Sequence, residues 1–353
     1  MNTNYDMKYV DEQSNKDLFK VVSLFAGAGG SSTGYRLAGG KVLAINEFLQ
    51  EAQDTYRANY PNTHIFPQDI RELTGEMILN QIGVKRGELD ILDGSPPCAS
   101  FSTAGKKEKM WGQVKKYSTT EQRVDDLFYE FARLVKDIQP KVFIAENVKG
   151  LTQGASSKLL GSEQFDMFDT QENTIYHSLV NCGYDVRFMV LNAKNYYVPQ
   201  SRERTIFIGV RNDLNKKISF PKPLEEINTL GKAFGGEIEK MICNDGFDKW
   251  GQVTTLGMND VSFTILTSGL GATRKYRIKR KGLYDDKTDI EISKMKSDET
   301  NKFTINELKV ICSFPNDYIL TGTYAQQWER LGRSVPPFLM KAIAENVYNT
   351  ILK

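Results

Sequence analysis

Residues 23–40 read "SLFAGAGGSSTGYRLAGG", a glycine-rich segment directly after an apolar run. Gly27, Gly29 and Gly30 allow the backbone to turn tightly and to approach a ligand, and the helix expected after them begins with N–H groups that lack helical partners. The segment departs from the dinucleotide-binding pattern G-x-G-x-x-G, because the third glycine would fall at Ser32. The sequence therefore predicts a strand, a glycine loop and a helix, in which the loop is either a ligand-binding turn or a plain tight turn.

Outward from this loop, strand-like apolar runs alternate with amphipathic segments through the first 210 residues. The clearest helical pattern covers 121–138, with apolar residues spaced i, i+3, i+4 and i+7 and a predicted capping box of Ser118 and Glu121. This alternation predicts an α/β fold with a doubly wound, mainly parallel sheet covered on both faces. The predicted strands lie at 20–27, 41–46, 63–70, 89–94, 141–147, 184–193 and 204–210.

The pattern changes after about residue 213, where glycine, proline and asparagine become frequent. We expect a larger domain over 1–215, completed by a C-terminal helical segment at 326–353, and a smaller domain with its hinge over 216–325. The run "RKYRIKRK" at 274–281 alternates basic residues with Tyr276 and Ile278, which is typical of a strand with one charged face. This run, and "KKEKMWGQVKK" at 106–116, either contact phosphates or form solvated faces.

Composition excludes several classes of protein. A chain of 353 residues that is 40% hydrophobic can bury a large core, and a net charge of +2 neither requires nor excludes a nucleic-acid partner. Four widely separated cysteines and two histidines argue against a zinc site and against a disulfide scaffold, so we expect no metal. The N-terminus has no apolar signal region, and no apolar run approaches the roughly 18 residues of a membrane span, which predicts a cytoplasmic protein with no membrane contact.

Two acids and an aromatic residue follow predicted strands of the sheet. Glu47 lies just past the second strand, 20 residues after Gly27, where a carboxylate can accept hydrogen bonds from ribose hydroxyls. Phe48 could cover a base, and Asp69, after the third strand, could accept a hydrogen bond from an exocyclic amine. These residues indicate a nucleoside-bearing cofactor, although they could also be ordinary surface acids.

The segment "GSPPCASFS", residues 94–102, places Cys98 after two prolines at the end of the fourth predicted strand. Pro96 and Pro97 fix the backbone dihedral φ and stiffen the loop. A free cysteine is usually a small buried hydrophobe, but the neighbouring glycine, alanine and serine residues offer little with which to bury this thiol. We therefore interpret Cys98 as a candidate nucleophile.

The next strand of the sheet ends in another acid, Glu146 of "ENV". In its protonated form a glutamic acid can donate a hydrogen bond to a ring nitrogen. Arg202 and Arg204 of "QSRER" are two residues apart at the start of a strand, hence on one face, and one of them could bind a carbonyl oxygen. Open α/β sheets bind their ligands at such strand ends, so these residues together indicate an active site.

The motifs "FAGAGG", "GSPPCASFS", "ENVKG", "QSRER" and "GRSVPPFLMKAIAENV" occur in this order, and together they resemble the cytosine-C5 methyltransferases over about residues 20–350. The resemblance implies a Rossmann-like fold that uses S-adenosylmethionine, with a smaller target-recognition domain. It also implies double-stranded DNA as the partner, a monomer, and, where one exists, a cognate restriction endonuclease that acts separately.

Carried over position by position, the resemblance implies a role for each matching residue. Cys98 is the nucleophile, Glu146 and Arg204 hold the cytosine, and Arg202 supports them. Glu47 would hold the ribose, Phe48 and Ile70 would sandwich the adenine, and Asp69 would bind the adenine amine. The remaining cofactor-binding residues are Phe25, Ala26, Gly27, Gly29, Gly30, Pro96, Leu127 beside the methionine part, and Ser334, which closes the site.

Two departures from the family and three rival functions remain open at this level. Ala99 stands where the family usually has glutamine, and Arg333 where it usually has asparagine, which affects contacts to the base and affinity for the cofactor respectively. The rivals are the same chemistry on tRNA, a non-catalytic DNA-binding relative, and a nicotinamide oxidoreductase. The last requires the third glycine that this loop lacks, and it leaves Cys98 without a role.

Overall fold

The structure is a computed structural model, and it describes residues 4–96, 115–117, 120–122, 126–149, 175–245, 253–267, 274–296, 298 and 300–353. Cys98, Ala99, Ser118 and most of the basic run at 106–116 lie outside the described residues, as does Gly150 at the end of "ENVKG". In the part of the chain that is described, no helix is long and apolar enough to cross a membrane.

A seven-stranded sheet forms the centre of the fold, with strand order β3-β2-β1-β4-β7-β9-β8. The five strands from β3 to β7 are parallel, and β9 and β8 are added in antiparallel orientation. The strands are β1 (Phe19–Leu24), β2 (Gly40–Asn46), β3 (His64–Phe66), β4 (Ile91–Gly94), β7 (Val142–Val148), β8 (Tyr184–Asn192) and β9 (Glu203–Arg211), and β5 (Lys115–Tyr117) and β6 (Thr120–Gln122) form a separate hairpin.

Helices cover both faces of this sheet. One face is packed by α1 (Met7–Ser14), α2 (Gly30–Leu37) and the C-terminal α11 (Pro337–Val347), and the other by α4 (Gly75–Ile82), α5 (Leu127–Ile138) and α6 (Ile175–Val180). Neighbouring residues alternate between the two cores: Ile91 and Ile144 lie in the first, and Leu92 and Phe143 lie in the second. The predicted α/β class with a doubly wound, mainly parallel sheet is confirmed.

The order of the strands reverses at β1, which lies between β2 and β4. The crossover from β1 to β2 carries α2 on one face of the sheet, and the crossover from β3 to β4 carries α4 on the other. Open α/β sheets bind ligands beyond the carboxyl ends of the strands at such a point. β9 runs antiparallel to β7, with Arg204 opposite Val148, so the start of β9 lies beside the end of β7. The residues that follow β1, β2, β4 and β7, and those that begin β9, therefore share one edge of the sheet.

Two predicted elements are wrong in extent. The helix predicted over 121–138 begins at Leu127, because Glu121 belongs to strand β6 and pairs with Lys116. Glu121 therefore cannot form the predicted capping box. The strand predicted over 63–70 ends at Phe66, because the Asp69 carboxylate caps a short 3-10 turn, Ile70–Glu72.

A second, three-stranded antiparallel sheet has the order β11-β10-β12, formed by β11 (Val253–Leu256), β10 (Ile238–Asp245) and β12 (Arg274–Arg280). Its β12 is the basic run predicted to be a strand with one charged face. Tyr276 and Ile278 are buried as expected, but Arg277 and Lys279 on the other face are also buried, at 8% and 9% exposure. A solvated face is therefore the wrong interpretation for these two residues. Arg277 donates to the carbonyl of Met295, which follows α8 (Asp289–Lys294), and Lys279 pairs with Glu239 and Asp285.

The chain returns to the large sheet through α9 (Ile305–Ile311), α10 (Tyr324–Arg333) and α11, whereas α7 (Leu230–Phe234) precedes the small sheet. Between α9 and α10, Tyr318 donates a hydrogen bond to the carbonyl of Ala28, and Thr321 contacts Thr55 of α3 (Gln50–Asn59). Helix α11 packs so closely on α2 that a Cβ on Gly34 would lie 2.6 Å from the Cβ of Met340. The division at residues 215/216 and 325/326 stays a prediction.

Candidate active site

The glycine loop packs against the segment that precedes the C-terminal helix. Gly29, with φ of +81°, is the N-cap of α2, and a Cβ there would lie 2.7 Å from the hydroxyl of Tyr318. A Cβ on Gly30 would lie 2.2 Å from the carbonyl oxygen of Val335. Both positions require glycine because neighbouring parts of the chain approach too closely for any side chain.

Gly27 needs glycine for a different reason. Its φ is +54°, in the left-handed region, but no atom of the described residues lies within 4 Å of where its Cβ would be. Phe25, with φ of +55°, adopts the same unusual backbone region, and the Ala26 N–H donates to the carbonyl of Asn46 at 3.1 Å. The loop is thus held to the end of β2, and above Gly27 there is space for a ligand to contact the backbone.

Glu47 connects the end of β2 to this loop. Its Oε2 accepts a hydrogen bond from the Gly27 N–H at 2.7 Å, and its Oε1 accepts one from the Leu49 N–H at 2.8 Å. Burial raises the pKa of the Glu47 carboxyl, whereas the two backbone donors and the positive charge of Arg333 act in the opposite direction. A carboxylate has about four acceptor sites, so the two oxygens can accept further hydrogen bonds from ribose hydroxyls.

The proposed adenine residues follow β2 and β3, which are neighbours in the sheet. Phe48 is 37% exposed, so its ring is available to cover a base, whereas Ile70 is only 2% exposed and offers little surface. The Asp69 carboxylate accepts from the backbone N–H of Arg71 at 3.0 Å and pairs with its guanidinium at 2.9 Å. The structure places all three at the expected edge of the sheet, with Asp69 already held by an arginine.

Pro96 is the last described residue before the segment that contains Cys98, and Leu127 is the first residue of α5. The Pro96 carbonyl accepts a hydrogen bond from the side-chain amide of Asn147 at 3.4 Å, which joins the end of β4 to the end of β7. Leu127 begins α5 and is 1% exposed. The predicted nucleophile Cys98 lies outside the described residues, two positions after Pro96.

Glu146 and Arg204 form a buried ion pair. The Arg204 Nε lies 2.7 Å from the Glu146 Oε1, and the two side chains are 12% and 9% exposed. The antiparallel register of β7 and β9 makes this possible, because it sets Arg204 opposite Val148, two residues beyond Glu146. Sequence analysis predicted both residues for the site, and the structure brings them into direct contact.

Arg202 lies beside this pair but points its donors elsewhere. Its side chain is buried and donates to the carbonyls of Ile265 at 3.2 Å and Gly332 at 2.8 Å, so it joins the start of β9 to two distant segments. Among the residues that the structure describes, its Nε has no hydrogen-bond partner. Burial, with a smaller contribution from the positive charge of Arg204, lowers the pKa of Arg202 to about 9, and the negative charge of Glu146 acts in the opposite direction.

Ser334 follows α10 and lies against the glycine loop. Its hydroxyl donates to the carbonyl of Arg330 at 2.6 Å, and its Cβ lies 3.2 Å from where a Cβ on Gly30 would be. The described contacts thus form two groups at one edge of the sheet. One joins the glycine loop to Glu47 and Ser334, and the other joins Glu146 to Arg204.

Sequence analysis missed Asp93, a buried acid within β4. Its carboxylate accepts hydrogen bonds from the hydroxyls of Ser23 at 2.6 Å and Tyr35 at 3.0 Å, and the residue is 1% exposed. Burial, with a smaller contribution from the negative charge of Glu146, raises the pKa of Asp93 to about 7. An acid inside the apolar run "LDILDG" was the available signal.

These residues fit a nucleoside-bearing cofactor. Gly27 offers open backbone, the Glu47 oxygens retain acceptor capacity, and Phe48 presents an exposed ring beside Asp69. The weak point is Ile70, whose burial leaves it only a small contact area. The fit therefore depends most on the glycine loop and Glu47.

Comparisons with known proteins identify the family of the chain. Residues 19–349 match the family C-5 cytosine-specific DNA methylase. The Type II methyltransferase M1.HphI of Haemophilus parahaemolyticus is 34% identical over 349 residues, which cover 92% of this chain and 86% of that protein. The Type II methyltransferase M.Eco47II of Escherichia coli is 28% identical over 368 residues, with coverage of 96% and 81%.

Two solved structures have the same fold at low identity. A putative DNA modification methyltransferase from an E. coli prophage aligns with a TM-score of 0.65 and 20% identity, covering 95% of this chain and 100% of that one. A DNMT2 mutant from Spodoptera frugiperda aligns with a TM-score of 0.62 and 20% identity, covering 94% and 99%. The family match covers nearly the whole chain, so the chain belongs to the C-5 cytosine-specific DNA methylase family.

Proposed function

We propose that the chain transfers a methyl group from S-adenosylmethionine to C5 of a cytosine flipped out of double-stranded DNA, through a covalent adduct between Cys98 and C6. The family match across residues 19–349 carries the proposal. The glycine loop with Glu47, and the Glu146–Arg204 pair at the same edge of the sheet, support the division of the site into a cofactor half and a base half.

The cofactor half holds the methyl donor. When bound, S-adenosylmethionine supplies an electrophilic methyl group. Glu47 accepts hydrogen bonds from its ribose, Asp69 accepts one from the adenine amine, and Phe48 covers the base. Ser334 and the loop of Phe25, Ala26, Gly27, Gly29 and Gly30 enclose the rest, with Pro96 and Leu127 beside the methionine part.

The base half makes C5 of cytosine reactive. Addition of the Cys98 thiolate to C6 converts C5 into an enamine carbon that can attack an electrophile. Protonated Glu146 donates to N3 and offsets the charge that builds in the ring. Arg204 holds Glu146 and the base carbonyl, and Arg202 supports both. Once C5 carries the methyl group, with S-adenosylhomocysteine as the other product, a proton acceptor removes the C5 proton, and the bond between Cys98 and C6 breaks to release the thiolate.

In duplex DNA, stacking covers the faces of the cytosine ring from which C6 must be attacked, so the target base must leave the helix before it can react. We assign this role to the domain over 216–325, whose small sheet would bind the target sequence. Its last part, which contacts the glycine loop through Tyr318 and α3 through Thr321, would act as the hinge. We further propose a monomer in the cytoplasm, with any cognate restriction endonuclease acting as a separate protein.

Methyl transfer from labelled S-adenosylmethionine tests the proposal. The purified chain is offered unmethylated double-stranded DNA and tRNA in parallel, and the products are digested to nucleosides. We expect label in 5-methylcytosine from DNA. Label in tRNA alone would establish the RNA substrate instead, and no label in either would indicate a non-catalytic relative.

A substitution at the base half gives a sharper test. Glu146→Gln keeps the shape of the side chain but cannot supply the proton to N3, so we expect kcat to fall by about 10²-fold or more. Cofactor affinity, measured by calorimetry, should stay unchanged because Glu146 lies in the other half of the site. An unchanged kcat would remove Glu146 from the mechanism.

A further inference from the structure

Arg71 joins two carboxylates at the edge of the proposed cofactor half. Its Nη1 lies 2.9 Å and 3.1 Å from the two oxygens of Asp69. Its Nε and Nη2 donate to the two oxygens of Asp126, at 2.9 Å and 2.5 Å. The contact with Asp126 is the parallel two-bond geometry that guanidinium groups form with carboxylates, and it fixes the plane of the arginine.

Asp126 makes this contact instead of capping α5 with its side chain. It is the N-cap of α5, where an aspartate usually accepts a hydrogen bond from the backbone of the first turn, but its side chain makes no such bond. Its carboxylate is turned to Arg71 instead. Arg133 of α5 binds the turn that contains Arg71, because its Nη2 donates to the carbonyls of Ile70 and Leu73 at 2.9 Å each.

The consequence is a fixed orientation for the Asp69 carboxylate. Oδ1 accepts from both the backbone N–H and the guanidinium of Arg71, and Oδ2 accepts from the guanidinium, so rotation about the Cβ–Cγ bond would break several hydrogen bonds at once. The turn that carries Asp69 is held to α5 at the same time. The carboxylate therefore meets a ligand in one orientation only.

We propose that Arg71 is a positioning residue that fixes the Asp69 carboxylate and thereby sets the preference of the site for adenine over a purine with a carbonyl at C6. This inference rests on the proposed function, in which Asp69 accepts a hydrogen bond from the adenine amine. A fixed carboxylate attracts an amine and repels a carbonyl oxygen. A carboxylate that can turn away loses part of the attraction and also relieves the repulsion, so selectivity falls more than affinity.

The test compares two ligands that differ at C6, S-adenosyl-L-homocysteine and S-inosyl-L-homocysteine. Their dissociation constants are measured by calorimetry for the full chain and for Arg71→Gln. We expect the ratio of the two constants to fall about tenfold in Arg71→Gln, the scale of one hydrogen bond to a charged group. Arg57→Gln is the matched control. Arg57 pairs with Asp54 at 3.8 Å at an exposed position of α3, so the ratio of the two dissociation constants should equal that of the wild type.

A purely structural role for Arg71 would weaken both ligands equally and leave the ratio unchanged, and this result would overturn the inference. If Arg71→Gln does not fold, Arg71→Lys serves instead, because it keeps the charge but cannot bond both carboxylates in the same way. The same drop in the ratio is expected for it, and an unchanged ratio overturns the inference. Failure of the proposed function is a different result: the wild-type chain would bind neither compound.

Discussion

Asp93 gives the most direct residue-scale prediction. Its pKa is about 7 in the folded chain, against an ordinary value of 3.8. Between these values the folded state holds a proton that the unfolded state has lost, so the free energy of unfolding must fall as pH rises and then level off above pH 7. The group therefore contributes its stability at low pH and loses it as pH approaches 7.

Asp93→Asn should remove this dependence. An asparagine can still accept from Tyr35 and can donate to the hydroxyl of Ser23, so the site stays hydrogen-bonded. Relative to the variant, the wild type should lose up to about 3 kcal/mol of stability between pH 5 and pH 8. Urea unfolding at a series of pH values measures the difference, and parallel curves for the two proteins would show that Asp93 does not titrate in this range.

At the same scale, sequence analysis named Glu146 and Arg204 but not their contact. Each motif indicates a functional residue, whereas the 2.7 Å pair depends on the antiparallel register of β7 and β9, which no local pattern specifies. The role of Arg71 beside Asp69 was not predicted, because its guanidinium also binds Asp126, which lies 55 residues later in the chain. Long-range pairs of this kind become visible only once the strands are in place.

At the element scale, the loop between β1 and α2 contains glycines that are required for two different reasons. Gly30→Ala places a methyl group 2.2 Å from the Val335 carbonyl oxygen, and we expect it to lower stability by roughly 2–3 kcal/mol, as overpacking does. In the described part of the chain, the methyl group of Gly27→Ala meets no atom within 4 Å, and the left-handed backbone should cost only about 1 kcal/mol.

The same two variants should differ in cofactor binding. The methyl group of Gly27→Ala would occupy the space that we assign to S-adenosylmethionine, so its affinity should fall well beyond what the small loss of stability explains. Urea unfolding without ligand, followed by calorimetric titration, separates the two effects. Wild-type affinity in Gly27→Ala would place the cofactor elsewhere.

Strand β12 was interpreted from sequence as a possible phosphate-binding face, and the structure changes that expectation. Lys279 pairs with Glu239 at 3.0 Å and with Asp285 at 3.1 Å, and Arg280 pairs with Glu307 at 2.8 Å. Charge periodicity identified the strand, but it could not show that acids from neighbouring segments neutralise these residues.

Arg280→Met should therefore act on stability and leave the electrostatics of DNA binding unchanged. We expect a lower melting temperature, since Arg280 also donates to the carbonyl of Thr300 at 2.7 Å, and an unchanged slope of log K against log salt. Lys281→Met removes the same charge at an exposed position and is the control for stability. A slope reduced by about 1 in Arg280→Met, with no change in melting temperature, would restore the phosphate contact.

At the scale of the whole molecule, the alternation of apolar runs predicted the sheet well. Six of the seven predicted strands agree with the structure within about three residues, because parallel strands buried on both faces are nearly continuous apolar runs. The start of α5 was harder to predict, since part of strand β6, which pairs with β5, lies in residues that were assigned to the helical pattern. The domain division stays a prediction, because the segment after the small sheet contacts both parts of the fold: Glu307 pairs with Arg280 of β12, and Tyr318 donates to the Ala28 carbonyl in the glycine loop.

The central claim is that Cys98 attacks cytosine, and a trapped adduct tests it most directly. Fluorine at C5 cannot leave as a cation, so DNA with 5-fluorocytosine at the target should hold the enzyme after methyl transfer. We predict a complex that survives denaturing electrophoresis, requires S-adenosylmethionine and maps to Cys98. Cys98→Ser should form none, since a hydroxyl is far less ionised and less nucleophilic. Normal methylation by Cys98→Ser, or an adduct at Cys182, Cys243 or Cys312, would contradict it.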